Sequence, residues 1–305
     1  MKLAGVVITY NDGYKVKEWA HWYQEYKDEL YTYIIVDNGS DSNYLQQLES
    51  IFSNAIIIKR KTNGGCTSAY NDGIRKALED PEVTHIALIG NDIRLMKGSL
   101  TKCVELLESD RNLGMVAPVL LKADSDIVAD FGCSINDDLS MNPYGVGVKV
   151  SELNPLFRYC EAVTGGMNVS KRSFYETTVG LQDENLFMYS DEVDMGIRAK
   201  NAGVKMAVTK EALSWHQHIN ESKTGRRHPF NSYLVGRNKV YLANKHFGKK
   251  KRNKEFIFML RQALLFSCYR VVKGQFSFIR EEIWKVRGAY NGLKGNMEPN
   301  RFSHL

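Results

Sequence analysis

Along the first 120 residues, short unbroken apolar runs alternate with stretches whose apolar positions recur at helical spacing. The runs are Leu3–Thr9, Tyr33–Val36, Ala55–Ile58, His85–Ile89 and Met115–Val119. Between them lie amphipathic patterns at Val16–Tyr31, Tyr44–Phe52, Thr67–Leu78 and Ser99–Glu108. Runs without alternation predict strands buried on both faces. The βαβα rhythm predicts an α/β fold, with a mostly parallel central sheet and helices on both faces. In such sheets ligands bind beyond the carboxyl ends of the strands. Those ends are polar here: Thr9-Tyr10-Asn11, Asp37-Asn38-Gly39-Ser40-Asp41, Thr62-Asn63-Gly64-Gly65 and Gly90-Asn91-Asp92.

Residues 121–160 break the rhythm with clusters such as Asn136-Asp137-Asp138 and Asn142-Pro143-Tyr144-Gly145, which predict a loop-rich insertion with short edge strands. Order returns with Val163-Thr164-Gly165-Gly166-Met167, a helix from about Asp191 to Ala202 and a strand at Val204–Val208. Two amphipathic helices follow, Phe256–Lys273 and Phe278–Tyr290. In the first, Phe256, Ile257, Leu260, Ala263, Leu264, Cys268 and Val271 share one broad sector. In the second, Ile279, Ile283, Val286 and Tyr290 share a face. These features predict an α/β domain at residues 1–245 and a helical C-terminal extension at 246–305.

Composition changes this picture in three ways. With 43% hydrophobic and 25% charged residues the chain reads as globular, and no window of about 18 residues is free of charge, as a membrane span requires. The N-terminus reads as a first strand rather than a signal peptide. Five cysteines, Cys66, Cys103, Cys133, Cys160 and Cys268, never fall in C-x-x-C spacing, which fits a reducing cytosol better than a disulfide framework or zinc site. The net charge of +6 conceals an asymmetry: from Lys245 onward there are 14 Lys/Arg and 4 Asp/Glu, against 27 and 31 before it. A basic tail with wide apolar faces suits either a helical cap on the core or an anionic surface.

No G-x-G-x-x-G follows the first strand, and neither G-x-x-x-x-G-K-[ST] nor G-x-S-x-G occurs, so dinucleotide, P-loop and serine-hydrolase chemistry lack support. Asp37 fits an acceptor for the ring N–H of a bound base, or a turn acid. Asn63-Gly64-Gly65 fits a close backbone approach to a ligand, or a plain turn. Asp92 fits a ligand for Mg2+ or Mn2+, or a cap ahead of Gly98-Ser99. The segment Phe187-Met188-Tyr189-Ser190-Asp191-Glu192-Val193-Asp194 opens a helix with three acids, flanked by aromatics. Acids favour helix N-termini, and a carboxylate in a partly buried cleft also suits a general base. Trp215-His216-Gln217-His218 follows a strand and offers imidazole to a divalent metal.

As an ordered set these segments resemble family 2 of the inverting glycosyltransferases, with a GT-A fold. Val6–Asn11 resembles the opening strand, and Ile35–Asp41 the nucleotide-binding turn. Asn63-Gly64-Gly65 with Ala69, Asn71, Gly73-Ile74 and Ala77 resembles the N-x-G…A-x-N-x-G-I…A block. Gly90-Asn91-Asp92, Gly165-Gly166-Met167, the Phe187–Asp194 block, His216 and the pair Arg237-Asn238 follow in order, over residues 1–245. Two departures stand out. Gly90-Asn91-Asp92 replaces D-x-D, leaving one acid. Asp191-Glu192 replaces Glu-Asp, so the base position aligns with Glu192, with Asp191 beside it.

The resemblance implies a nucleoside-diphosphate sugar donor held by Thr9, Tyr10, Asn11, Asp37, Asn38, Asn63, Gly64, Gly65, Asn71, Asn91, Asp92, Gly166 and Arg237. It implies Mg2+ or Mn2+ at Asp92 and His216, a base at Glu192 or Asp191, and inversion. Arg226, Arg227 and Arg237 are candidates to close over the phosphates. Similarity to bacterial rhamnosyltransferase-like members favours dTDP-L-rhamnose as donor, with a UDP-sugar such as UDP-galactofuranose next. It favours a polyprenyl-diphosphate-linked or oligosaccharide acceptor in cell-wall or surface-polysaccharide synthesis. The expected location is cytoplasmic, peripheral at the inner membrane face through the basic helices. Two other classes remain: a non-catalytic sugar-nucleotide binder, suggested by the single acid at Asp92, and a nucleotidyltransferase, whose basic glycine-rich signature Thr9-Tyr10-Asn11-Asp12 does not match. No nucleic-acid motif accompanies the basic tail.

Overall fold

The computed structural model describes residues 2–13, 15–164, 166–217 and 228–298. The strands are β1 (Leu3–Thr9), β2 (Thr32–Asp37), β3 (Ile56–Lys59), β4 (His85–Gly90), β5 (Ile93–Leu95), β6 (Leu113–Lys122), β7 (Val128–Asp130), β8 (Cys133–Ile135), β9 (Met141–Pro143), β10 (Phe157–Cys160), β11 (Met167–Lys171) and β12 (Lys205–His216). The helices are α1 (Val16–Tyr26), α2 (Ser42–Ile51), α3 (Gly65–Leu78), α4 (Ser99–Ser109), α5 (Asp191–Asn201), α6 (Pro229–Val272) and α7 (Ile279–Lys294). The chain packs as two compact units. The first comprises residues 1–135, 141–182 and 195–218, the second 136–140, 183–194 and 219–305.

The first unit holds a sheet in the order β10-β12-β6-β11-β4-β1-β2-β3, with β5 on β12 and β7 on β6. Strands β4, β1, β2 and β3 run parallel, as do β6 and β12. Strand β11 is antiparallel to both β4 and β6, so the sheet is mixed around a parallel half. Successive residues of β1 and β2 enter opposite cores, which explains their unbroken apolar runs. Val6, Ile34 and Val36 pack with Ala69, Tyr70 and Ile74 of α3. Val7 and Ile35 pack with Trp19 of α1, Leu48 of α2, and Leu100 and Val104 of α4. The insertion after residue 121 supplies short strands: β10 on the sheet edge against β12, and the hairpin β8–β9. Strand β12 runs on to His216, seven residues past Thr209, because a register shift between Thr209 and Leu213 absorbs the irregularity that ends the apolar run.

The second unit is built on α6 and α7. Helix α6 is two helices that meet at a break at Gly248 (φ 79°, ψ 179°), and both of them, on either side of the expected 245/246 boundary, belong to this unit. Its first half crosses α7 on a glycine seam. A Cβ at Gly236 would lie 2.0 Å from the Lys285 carbonyl, one at Gly288 1.9 Å from that of Tyr233, and one at Gly292 2.3 Å from that of Arg237. The apolar face of α6 beyond the break divides. Met259 and Ala263 are buried, Met259 packing with Val240 and Ala289, while Ile257, Leu260, Leu264, Leu265 and Val272 are exposed. Among the described residues no helix is long and apolar enough to cross a membrane.

Candidate functional site

In the first unit, parallel pairing brings the carboxyl ends of three strands level: Thr9 pairs with Asp37, and Ile8 with Gly90. Asp37 is 1% exposed; its Oδ2 accepts from the Ser40 N–H at 3.2 Å, while its Oδ1 is buried with no hydrogen-bond partner. The turn that follows depends on Gly39, whose φ of +88° and position leave no room for a side chain, since a Cβ would sit 2.7 Å from the Thr62 backbone. Asn38 staples this turn to the next. Its Nδ2 donates to Asn63 Oδ1 (3.0 Å) and the Gly65 carbonyl (3.1 Å), and its Oδ1 accepts from the Gly64 N–H (3.1 Å). Asn63 Oδ1 also accepts from the Gly65 N–H at 2.9 Å. Together they present the N-terminus of α3, a natural anion site, beside the unpaired Asp37 oxygen.

Across the strand ends, Asn91 Nδ2 donates to Asp12 Oδ2 (2.8 Å) and Thr9 Oγ1 (3.4 Å), and Thr9 also bonds the Tyr44 hydroxyl. Asn11, at φ 49°, is held by its N–H to Ser40 Oγ (2.9 Å) and its Oδ1 to the Asp41 N–H (3.0 Å). Tyr10 beside it is exposed. Gly166 accepts from the Gly90 N–H at 2.8 Å, which places it alongside Asn91 and Asp92.

Asp92 Oδ2 lies 3.1 Å from His216 Nε2, and the Gln217 N–H donates to the Asp92 carbonyl at 2.9 Å, so the end of β12 is pinned to the end of β4. Burial opposes ionisation of Asp92, but the hydrogen bond and charge of His216, with the Lys15 ammonium, outweigh it and hold the carboxyl below its ordinary value. Two ligands of one octahedral ion at about 2.1 Å stand about 3 Å apart, so the pair fits two adjacent positions on Mg2+ or Mn2+. Among the described residues no group of three or more His, Cys, Asp or Glu could hold a metal. An ion here therefore requires oxygens from elsewhere, as a diphosphate provides.

The acids belong to the second unit. Asp191 and Glu192 open α5 after a bend in which Phe187, Tyr189 and Ser190 have positive φ values of 64°, 71° and 65°. Burial, with the charges of Glu192 and Asp194 and a hydrogen bond to Glu192, pushes the Asp191 carboxyl well above its ordinary range. Asp194 is fully buried and paired, at 2.7 Å to Lys245 and 2.8 Å to His246.

Two expected donor ligands have other work. Asn71 is 1% exposed in α3, and its amide bonds both the carbonyl and the N–H of Gln182 at 2.9 Å, so it ties backbone rather than ligand. Arg237 was expected over the phosphates, yet its guanidinium is fully buried and donates to Asn238 Oδ1 and the carbonyls of Met297, Asn185 and Leu186. Burial pushes its pKa down to about 10. Gly165, His218, Arg226 and Arg227 lie outside the described residues. Sequence reasoning missed Asp12 and Tyr44, whose partners Asn91 and Thr9 sit 79 and 35 residues away. It also missed the Lys245–His246 pair on Asp194.

Residues 6–127 match the family model described as glycosyl transferase family 2. The chain is 22% identical to the N-acetylglucosaminyl-diphospho-decaprenol L-rhamnosyltransferase of Mycobacterium tuberculosis, over 80% of this chain and 84% of that protein. Among solved structures it is similar to GalNAc-T7 with UDP, GalNAc and Mn2+ (TM-score 0.65, 13% identity), covering 95% of this chain and 57% of that one. It is also similar to the mannosyltransferase PcManGT from Pyrobaculum calidifontis in complex with GDP-Man and Mn2+ (TM-score 0.56, 12% identity), covering 96% and 87%. The strand-end turns and the fold converge: residues 6–127 are a glycosyl transferase family 2 domain, and the chain has the fold of the GT-A glycosyltransferases.

Proposed function

We propose that this glycosyltransferase moves L-rhamnose from dTDP-L-rhamnose, with inversion, to a hydroxyl of a polyprenyl-diphosphate-linked saccharide; a UDP-sugar such as UDP-galactofuranose is the next donor. The observation that carries the reading is Asp37 Oδ1, a buried carboxylate oxygen without a partner at the end of β2. An oxygen in that state is costly until a donor reaches it, and the ring N–H of a uracil or thymine base is such a donor. The Asn38–Asn63 staple and the α3 N-terminus beside it suit the diphosphate. The rhamnosyltransferase relative supports the sugar and the lipid-linked acceptor.

The roles divide between the units. The first holds the donor through Asp37, Asn38, Asn63 and the Gly64-Gly65 turn. Asp92 and His216 are the residues that would hold Mg2+ or Mn2+, which supplies charge neutralisation for the departing diphosphate. In the second, Asp191 keeps the proton and Glu192 is the carboxylate that takes one from the acceptor hydroxyl. A single base and a single displacement give inversion. The exposed apolar side chains of α6 beyond Gly248, with Lys249, Lys250, Arg252, Lys254, Arg261 and Arg270 on the same helix, suit an anionic membrane surface where a lipid-linked acceptor resides.

A thermal-shift series with dTDP, UDP, GDP and CDP, each with and without Mn2+, tests the donor class. The expected result is metal-enhanced stabilisation by dTDP or UDP, about 2.7 kcal/mol at 100 times the dissociation constant. No response to any nucleotide overturns the reading. The single acid at Gly90-Asn91-Asp92 favours one competing reading, a binder without transfer. Glu192→Gln separates them: transfer falls about 10²–10⁴-fold with nucleotide affinity kept, whereas a binder has no transfer to lose.

A further inference from the structure

We propose that Arg237 and Asn238 are positioning residues for the acid pair Asp191–Glu192, acting through the main-chain carbonyls of residues 185–189. The inference rests on the assignment of those acids as the base pair. Three non-glycine residues with positive φ within four positions is an expensive backbone and persists only where the surroundings impose it. What imposes it is visible. Asn238 Nδ2 donates to the carbonyls of Leu186 (3.0 Å), Met188 (2.9 Å) and Tyr189 (2.9 Å). Arg237 Nη2 donates to those of Asn185 (2.9 Å) and Leu186 (2.8 Å).

The two side chains also orient each other. Arg237 Nε donates to Asn238 Oδ1 at 3.0 Å, which leaves the amide NH2 facing the loop. An aspartate there has no such donors, and a leucine fills the volume without bonding. Both residues are fully buried, so neither meets substrate. The loop they hold ends at Ser190, whose carbonyl accepts from the Asp194 N–H at 3.1 Å and so begins the turn carrying Asp191 and Glu192. Among the described residues, Glu192 and Asp194 are the charges that act on Asp191, and Asp194 is itself paired with Lys245 and His246. Moving the loop therefore changes where the carboxylates stand and how strongly each acts on the other.

The test uses the full chain with Asn238→Leu, Asn238→Asp and the milder Arg237→Lys. Hydrogen exchange of amides 186–192 is expected to rise at least about tenfold in Asn238→Leu while α7 is unchanged. Transfer kcat is expected to fall about 10²-fold with nucleotide affinity within about twofold, as a misplacement of about 1 Å costs. The pH profile of kcat is expected to shift toward lower pH as Asp191 relaxes toward an ordinary carboxyl. Asn238→Asp should exceed Asn238→Leu in every readout. Should either unfold, Arg237→Lys, which keeps the charge, is expected to raise exchange at 185–187 alone. Unchanged exchange, a rise spread evenly over α6 and α7, or a kcat loss with an unshifted pH profile overturns the proposal. If wild type transfers no sugar, the functional reading fails on its own, and the exchange pattern still decides whether the clamp exists.

Discussion

Asp37 carries two opposite consequences in one side chain. Its Oδ1, buried with no hydrogen-bond partner, costs stability, and under the proposed function the ring N–H of a base would supply the missing donor. Asp37→Asn should therefore leave melting temperature unchanged or raised, while nucleotide affinity weakens about tenfold or more, since hydrogen bonds to charged groups contribute about 1.5–3 kcal/mol; calorimetric titration with dTDP or UDP checks it. Asp191 gives a second test at this scale. Its carboxyl is raised on folding, so the folded chain keeps a proton that the unfolded chain has released, and stability falls as pH rises from the ordinary value near about 3.9 through the raised one. Asp191→Asn should melt with wild type below that range and increasingly above it at neutral and alkaline pH, in thermal scans across pH. At this scale the sequence was legible at the strand ends, where polar residues can only face a ligand or a turn: Asp37, Asn38 and Asp92 stand where the apolar runs stop. Arg237 and Asn71 were not legible. Residue type gives the number of donors, and only the fold says that carbonyls have already taken them.

At the scale of elements, the unbroken apolar runs located β1, β2 and β4 because a strand buried on both faces has no other pattern to show. The second half of the chain hid more. β12 continues through a register shift that interrupts its apolar run, and α6 is two helices that meet at a break at Gly248, of which the apolar periodicity showed only the second. The wide apolar sector predicted beyond it divides because α7 and the first half of α6 pack against Met259 and Phe256 and leave Ile257, Leu260, Leu264 and Leu265 exposed. The glycine seam between α6 and α7 also left no trace in periodicity. Gly288→Ala places a Cβ against the Tyr233 carbonyl and should cost about 3 kcal/mol or more, read as a lowered urea midpoint. Ile283→Ala, at an exposed position of α7, should stay within about 0.5 kcal/mol.

For the whole molecule, charge and exposed apolar area concentrate together in the C-terminal 60 or so residues. If that region meets membrane, the full chain should sediment with vesicles containing anionic lipid at low salt and release as salt rises past the screening range. The double change Leu264→Ser, Leu265→Ser should abolish sedimentation without altering nucleotide affinity; binding to neutral and anionic vesicles alike would refute the electrostatic part. One bond described above reaches further than its size suggests. Arg237 Nη1 closes on the carbonyl of Met297 at 2.8 Å, so the segment after α7 supplies one of the anchors for the guanidinium that grips the loop before the acids. A cut in the segment between α7 and that carbonyl would leave Asp37, Asn38 and Asn63 in place and still slacken the loop before Asp191 and Glu192. Any transfer the chain performs would then fade while the protein itself stayed folded.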